Sequence, residues 1–460
     1  MASESRTLTV GEVIDNSPVS GFQIWAIVFC GLVLTMDGFN AQSAGFLAPS
    51  ISQTLGIPAR SFGLIFSASL FGLMLAAMAS GPIADRWGRK VPVVFSTILF
   101  AIFSILTARA TSYNELLIYR FLTGLGLGGA MPNAVAIASE YSPKRLIPLF
   151  VAGLFAGMPL GGFICGAASS AMVPIWGWKS VFYLGGILPL VLALLAIKFL
   201  PESVRFLSTH GGDEKKISKI MSRIAPNIPP SAINYATEEK QHKGVPVKHL
   251  FTEGRASGTI LLWIPFFMNL LILYFIASWL PTLLREQGMS VAAGVTATTL
   301  FSLGGIVGTL IEGPSMNSFG AWRLLLIEFL LCALLIAAIA YLTSPFSLIA
   351  TATFLLGLFV TGAQAGMNVL AASFYPTSIR STGLGWALGV GRIGSIVGPM
   401  LAGFMLKSMG WSPHQIVLST VVPALIAAAA VMVSTLIGGS SNAYNPEAFR
   451  AEASDVAEFV

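Results

Sequence analysis

Three charges lie inside long apolar stretches. Asp37 is the one formal charge in Phe22 to Pro49, Arg120 lies in YRFLTGLGLGG, and Arg392 lies in GVGRIGSIVGP. An ionised carboxylate facing hydrocarbon costs roughly 2.5–3.5 kcal/mol even on lenient insertion scales, so Asp37 is expected to face the protein interior. A carboxylate there can bind and release a proton. A guanidinium keeps its charge and offers a planar fork that fits a carboxylate. The chemistry on offer is therefore proton exchange at Asp37 and anion binding at Arg392. Structural pairing is the competing use: Asp37 with an Arg, and either Arg with Asp37, Glu140 or backbone carbonyls.

Uncharged polar residues recur at helical spacing around these charges. Asp37, Asn40, Ala41 and Ala44 share one helix face, as do Gln364 and Asn368. Asn133 sits at a comparable depth in its own segment, and Asn269 and Tyr274 share another. Phe39, Trp279 and Trp386 have rings that could stack on an aromatic ligand; the same rings equally suit core packing or a lipid-facing surface.

A second constellation is GPIADRWGRK, Gly81 to Lys90. Gly81 and Gly88 allow a tight turn and close helix approach. Asp85, Arg86, Arg89 and Lys90 stand where the chain leaves the apolar zone, with Glu140 as an acidic partner for Arg86 or Arg89. This reads as a cytoplasmic latch; a solvated loop carrying a topology signal is the plainer reading. The later segment GPSMNSFG has Asn317 and Ser318 where the first has Asp85 and Arg86, so the latch is expected to be one-sided. GLFAGMPLGG, Gly153 to Gly162, faintly resembles an antiporter motif, but is read first as small residues for close helix packing.

These residues must be positioned by membrane helices. The chain is 55% hydrophobic and 10% charged, against about 25% charged in a typical soluble domain. The apolar segments predict an all-α membrane protein of twelve transmembrane helices in two six-helix halves. The expected parts are an N-terminal tail over 1–21, a first half over 22–200, a linker over 201–257, a second half over 258–437 and a C-terminal tail over 438–460. The linker is expected to be a surface segment with short helical patterns. The loops after helices 2, 4, 8 and 10 together with the linker hold sixteen Lys and Arg; the opposite loops hold five. That bias puts both termini and the linker in the cytoplasm.

The halves repeat. Pro49, Gly81-Pro82 and Gly88 recur as Pro281, Gly313-Pro314 and Gly320 at an offset of 232, and Phe121, Gly124 and Pro143 recur as Phe354, Gly357 and Pro376 at 233. Asn269 is the repeat mate of Asp37. Duplicated six-helix halves are a transporter plan, with the substrate site near mid-membrane between the repeats. Cys30, Cys165 and Cys332 are far apart and apolar in setting, which points to no disulfide framework. The four histidines, His210, His242, His249 and His414, form no intramembrane cluster, so neither an enzyme, a metal site nor a cofactor is expected. The charge of +6 is read as membrane topology, with no nucleic-acid partner.

The 6+6 plan with GxxxDRxGRK resembles the major facilitator superfamily over about Gly21 to Ile437. Within it, DGF in helix 1, SWLPTLL at Ser278 to Leu284 and YPTSIRSTG at Tyr375 to Gly383 resemble the aromatic acid:H⁺ symporter family. The resemblance implies alternating-access import of a benzoate- or hydroxybenzoate-type acid with protons, across a bacterial inner membrane, by a monomer. It also implies proton coupling through the RxxxGxxxG pattern at Arg120. The family usually carries a second acid where this chain has Asn40. PESVR, Pro201 to Arg205, is shared by several carrier families and discriminates little. The rivals are a symporter of a non-aromatic organic acid and a drug or metabolite antiporter of the same fold.

Overall fold

A computed structural model describes residues 8–209, 214–228, 233–234, 247–252, 254–342, 344–376 and 379–438. Twelve helices are long and apolar enough to cross a membrane. In the N-terminal unit they are α1 (Gly21–Leu55), α2 (Phe62–Trp87), α3 (Lys90–Arg109), α4 (Tyr113–Glu140), α5 (Ile147–Trp176) and α6 (Lys179–Phe199). In the C-terminal unit they are α7 (Ala256–Glu286), α8 (Val291–Phe319), α9 (Ala321–Tyr341), α10 (Phe346–Phe374), α11 (Arg380–Phe404) and α12 (Val421–Gly438). The chain divides into compact units at Gln241 and His242. At about 1.5 Å per residue α1 to α11 match or exceed the ~30 Å hydrocarbon core, and the short helix Pro413–Ser419 joins α12 in the twelfth span.

Local chemistry sets several helix ends. Ser20 and Gln23 form a reciprocal capping box at the start of α1, and Gly56 ends it in the left-handed conformation. Ser112 and Ser290 cap α4 and α8 by accepting from Glu115 N and Ala293 N.

The second and eighth helices run further than hydropathy predicts at their C-terminal ends. Gly81 to Trp87 is helical, as is Gly313 to Phe319. The tight turn expected across GPIADRWGRK is therefore confined to Gly88 and Arg89. Pro82 and Pro314 each cost one intrahelical hydrogen bond without ending the helix. What ends α2 is Gly88, whose φ of +85° suits only glycine, and nothing lies within 4 Å of a Cβ placed on Gly81. The close approach expected of both glycines belongs to Gly88 alone.

Small residues bring the helices together, and the pattern repeats between units. In the N-terminal unit α2 packs on α4 and α1 on α5; in the C-terminal unit the matching pairs are α8 on α10 and α7 on α11. A Cβ on Gly124 would strike Ser69 O, and a Cβ on its mate Gly357 would strike Phe301 O. The Gly153–Gly162 stretch behaves as its packing reading expects, with Gly161 against the backbone of Thr35.

The tail and linker are less loose than their polarity suggests. Val10–Asn16 is a helix with a Thr9/Glu12 capping box, and Val13 and Ile14 are buried. Glu214–Ile224 is a helix whose Ile217, Met221 and Ile224 join the same apolar cluster as Val13, Ile14 and Tyr141. Ile233–Asn234 pairs in parallel with Leu8–Thr9. Apolar residues at helical spacing give this part of the linker a face to bury, while Lys216, Lys219 and Arg223 stay exposed. His210, Pro229, Pro230, His242 and the tail beyond 438 lie outside the described residues, as do Thr377 and Ser378 of YPTSIRSTG.

Candidate functional site

In the N-terminal unit, Asp37, Asn40, Ser43 and Arg120 are all buried. Gly38, beside Asp37, meets the backbone of Met158, so α1 and α5 are in direct contact there. Arg120 reaches α1 from α4. Its Nη2 donates to Asn40 O at 2.8 Å and its Nη1 to Ser43 Oγ at 3.4 Å, with the guanidinium carbon 5.8 Å from the Phe182 ring centre. Arg120 therefore takes the backbone-carbonyl option, and Glu140 is engaged elsewhere. The glycines that follow Arg120 are packing residues: Gly124 and Gly128 press on the α2 backbone at Ser69 and Leu73.

Asn40 donates from Nδ2 to Gly185 O at 2.7 Å and to Met36 O at 3.1 Å, while its Oδ1 is buried with no hydrogen-bond donor. Phe39 is buried where α1 meets α6, against Gly185. Asn133 donates within its own helix to Gly129 O at 2.8 Å.

In the C-terminal unit a polar chain links α7 and α10. Asn269 Nδ2 donates to Val360 O at 3.0 Å and to Gln364 Oε1 at 3.1 Å, and Gln364 Nε2 donates to Asn368 Oδ1 at 3.4 Å. Arg392 on α11 donates from Nη1 to Tyr274 Oη of α7 at 3.2 Å. Arg392 is half-buried, whereas Arg120 is sealed. Of the glycines around Arg392, Gly391 and Gly394 press on Phe266 and Phe267 of α7, while nothing lies within 4 Å of a Cβ placed on Gly389. Trp279 is fully buried and its Nε1 donates to Pro399 O at 2.9 Å. Trp386 is 45% exposed and stacks on Trp263 at 6.1 Å, an interplanar angle of 16°.

The third cluster lies at the end of α2 and the start of α3. Arg89 Nε meets Glu140 Oε1 at 3.0 Å, and the Ser203 hydroxyl donates to Glu140 Oε2. Of the two expected partners of Glu140, Arg89 is the one engaged; Asp85 and Arg86 are exposed on the last turn of α2. Residues of PESVR complete the cluster. Glu202 Oε1 accepts from the backbone N–H of Arg89 at 2.8 Å, Lys90 at 3.1 Å and Ser203 at 2.8 Å. It caps the positive end of α3. The Cβ that Gly88 lacks would collide with this carboxylate. Tyr141 Oη donates to Glu202 O at 2.7 Å, and burial pushes the Tyr141 hydroxyl well above its ordinary pKa, so it stays a donor. Sequence reasoning passed over Glu202, Ser203 and Tyr141; the shared Pro-Glu-Ser motif was the signal for the first two.

Among the described residues no group of three or more His, Cys, Asp or Glu is placed to hold a metal ion.

The profile of the Major Facilitator Superfamily matches residues 28–399, with a further match over 296–455. A 4-hydroxybenzoate transporter of Pseudomonas putida is 39% identical over 95% of this chain and 97% of its own length. A gallate transporter of the same species is 35% identical over 93% of this chain and 95% of its own. Among solved structures, a D-xylose–proton symporter superposes with a TM-score of 0.69 at 16% identity, covering 89% of this chain and 96% of that one. At that identity it speaks for the fold alone. The chain is thus a multi-pass carrier of the Major Facilitator Superfamily, a family of transporters rather than enzymes, and belongs to the branch that holds these hydroxybenzoate and gallate transporters.

Proposed function

We propose that this protein imports a small aromatic carboxylate of the benzoate or hydroxybenzoate type, driven by protons, by alternating access. The carrying observation is the 39% identity, over nearly the whole chain, to a transporter of 4-hydroxybenzoate. A benzoate transport protein of Acinetobacter baylyi, 33% identical over 88% of this chain, adds weight. In this reading Arg392 holds the substrate carboxylate with the Tyr274 hydroxyl beside it, and Asn269, Gln364 and Asn368 offer amides to ring substituents. Trp279 and Trp386 offer rings in the same unit, while in the other unit Phe39 packs against Gly185 and Asn133 bonds within α4.

Asp37 carries the coupling proton, and Arg120 holds the α1 backbone at Asn40 in register beside it. Asn40 cannot titrate, so α1 carries one proton-binding carboxylate in this region. A monoanion entering with one proton is electroneutral and follows the pH gradient; a second proton would add about 2.3 kcal/mol per 100 mV. Gly81, Gly88, Asp85, Arg86, Arg89, Lys90 and Glu140 form the cytoplasmic gate, with Asp85 and Arg86 free to engage it at their exposed helix end. The positive-inside bias supports cytoplasmic termini, in a carrier that works as a monomer in the inner membrane. The test is counterflow in proteoliposomes loaded with labelled 4-hydroxybenzoate. Exchange against benzoates but not aliphatic acids supports the reading; equal exchange against aliphatic acids favours the organic-acid symporter.

A further inference from the structure

Glu312 on α8 and Glu328 on α9 are each 3% exposed, and both carboxyl groups lie against Gly362 of α10. Two adjoining buried carboxylates with no cation beside them repel one another and lose hydration, which favours keeping one proton on the pair. Of their oxygens, Glu312 Oε1 and Glu328 Oε2 are buried with no hydrogen-bond donor. No ion pair among the described residues involves either side chain.

The setting is shaped around them. α10 presents Gly362 and Gly366, one turn apart. A Cβ on Gly362 would lie 3.1 Å from Glu312 Oε2 and 3.3 Å from Glu328 Oε1, and a Cβ on Gly366 would collide with Glu312 Oε1. The glycines form a notch that the carboxyl groups fill.

Few titratable groups surround the pair. α10 and α12 carry no Asp, Glu, Lys, Arg, His, Cys or Tyr at all. α8 has none besides Glu312; α9 adds buried Cys332 one turn from Glu328, exposed Arg323 near its start and Tyr341 at its end. On α7, Arg285 and Glu286 lie at the helix end and Tyr274 bonds Arg392; His414 reaches Ala340 O at the far end of α9.

The internal repeat shows that the fold does not require acids here. At offsets of 232 and 233, Glu312, Glu328 and Gly362 correspond to Ser80, Ser96 and Gly129. The N-terminal unit builds the same three-helix contact: a Cβ on Gly129 would strike Ser96 Oγ and lie 4.0 Å from Ser80 Cβ. Two hydroxyls suffice there. Replacing them with two buried acids adds a desolvation cost that packing does not explain.

We propose that Glu312 and Glu328 form a second proton-binding site, holding one shared proton that is released and regained during the transport cycle. The pair would titrate as a unit. The link to transport rests on the proton-driven reading above; the shared proton itself does not.

Infrared difference spectroscopy of the full-length protein in lipid membranes tests it. At neutral pH the wild type should show the carbonyl stretch of a buried protonated carboxyl. Glu312→Gln and Glu328→Gln should each shift it and the double variant abolish it, and it should change when 4-hydroxybenzoate is added. In proteoliposomes, the pH profile of proton-driven accumulation should shift by about one pH unit or more in both variants. Absence of the band in wild type overturns the shared proton even if transport is normal. A band that ignores substrate, with unshifted pH profiles in the variants, overturns its exchange during transport. Should the single variants fail to fold, Glu312→Ser/Glu328→Ser copies the arrangement of the other unit and takes their place. A wild type that shows the band yet transports no aromatic acid would instead refute the transport reading and the exchange that rests on it, leaving the shared proton standing.

Discussion

Replacing Arg392 by Lys keeps the charge and removes the fork. A guanidinium can meet a carboxylate with two parallel hydrogen bonds, and an ammonium meets it as a point charge. Losing one charge-assisted hydrogen bond costs about 1.5–3 kcal/mol. At about 1.4 kcal/mol per factor of ten, that is a roughly 10- to 150-fold weaker Kd. Arg392 is half-buried, so solvent screens part of the interaction and the lower half of that range is expected. The Tyr274 hydroxyl, 3.2 Å from Nη1, steadies the fork. Tyr274→Phe removes the hydroxyl that accepts from Nη1 and should cost about 0.5–1.5 kcal/mol, roughly 2- to 12-fold. The assay is equilibrium binding of labelled 4-hydroxybenzoate to purified protein. Arg120→Lys is the contrast: it strips donors from Asn40 O and Ser43 in a sealed site, so thermal stability should fall first. Unchanged affinity in Arg392→Lys and Arg392→Ala would refute the assignment and move the carboxylate elsewhere.

Three further outcomes follow from the packing and capping. Glu202→Ala removes the acceptor of three backbone N–H groups and should cost about 0.5–2 kcal/mol, read as faster hydrogen exchange at the first turn of Lys90–Arg109; wild-type protection there would contradict the cap. Gly357→Ala drives a methyl into Phe301 O and should destabilise by about 1–3 kcal/mol, with a lower melting temperature in detergent; an unchanged melting curve would contradict the close α8–α10 contact. Asp85→Asn changes an exposed residue, so binding and melting should hold while turnover slows; wild-type turnover would remove Asp85 from the gate.

Much of this architecture was legible because membrane helices announce themselves by length and hydropathy, and because Gly124 and Gly357 repeat at a fixed offset. Asp37, Arg120 and Arg392 were legible as charges where charges are costly. Partner choice was not. Arg120 on Asn40 O and Trp279 on Pro399 O depend on helix rotation and depth, which hydropathy leaves open. Glu202 was hidden by the breadth of its motif: a cap at the start of α3 supplied from beyond α6 is a long-range contact. Glu312 and Glu328 obey the rule that singled out Asp37, yet Glu312 fell at the last turn of its expected segment. Only the packing of α8, α9 and α10 joins them.

Proton-driven uptake and counterflow of 4-hydroxybenzoate, measured in the same proteoliposomes for wild type and Asp37→Asn, test the central claim most directly. Asp37→Asn mimics the protonated carboxyl and cannot release a proton. It should bind substrate and exchange it across the membrane, yet fail to concentrate it under a pH gradient that drives wild-type accumulation. Wild-type accumulation by Asp37→Asn would contradict the account and take the coupling proton away from α1.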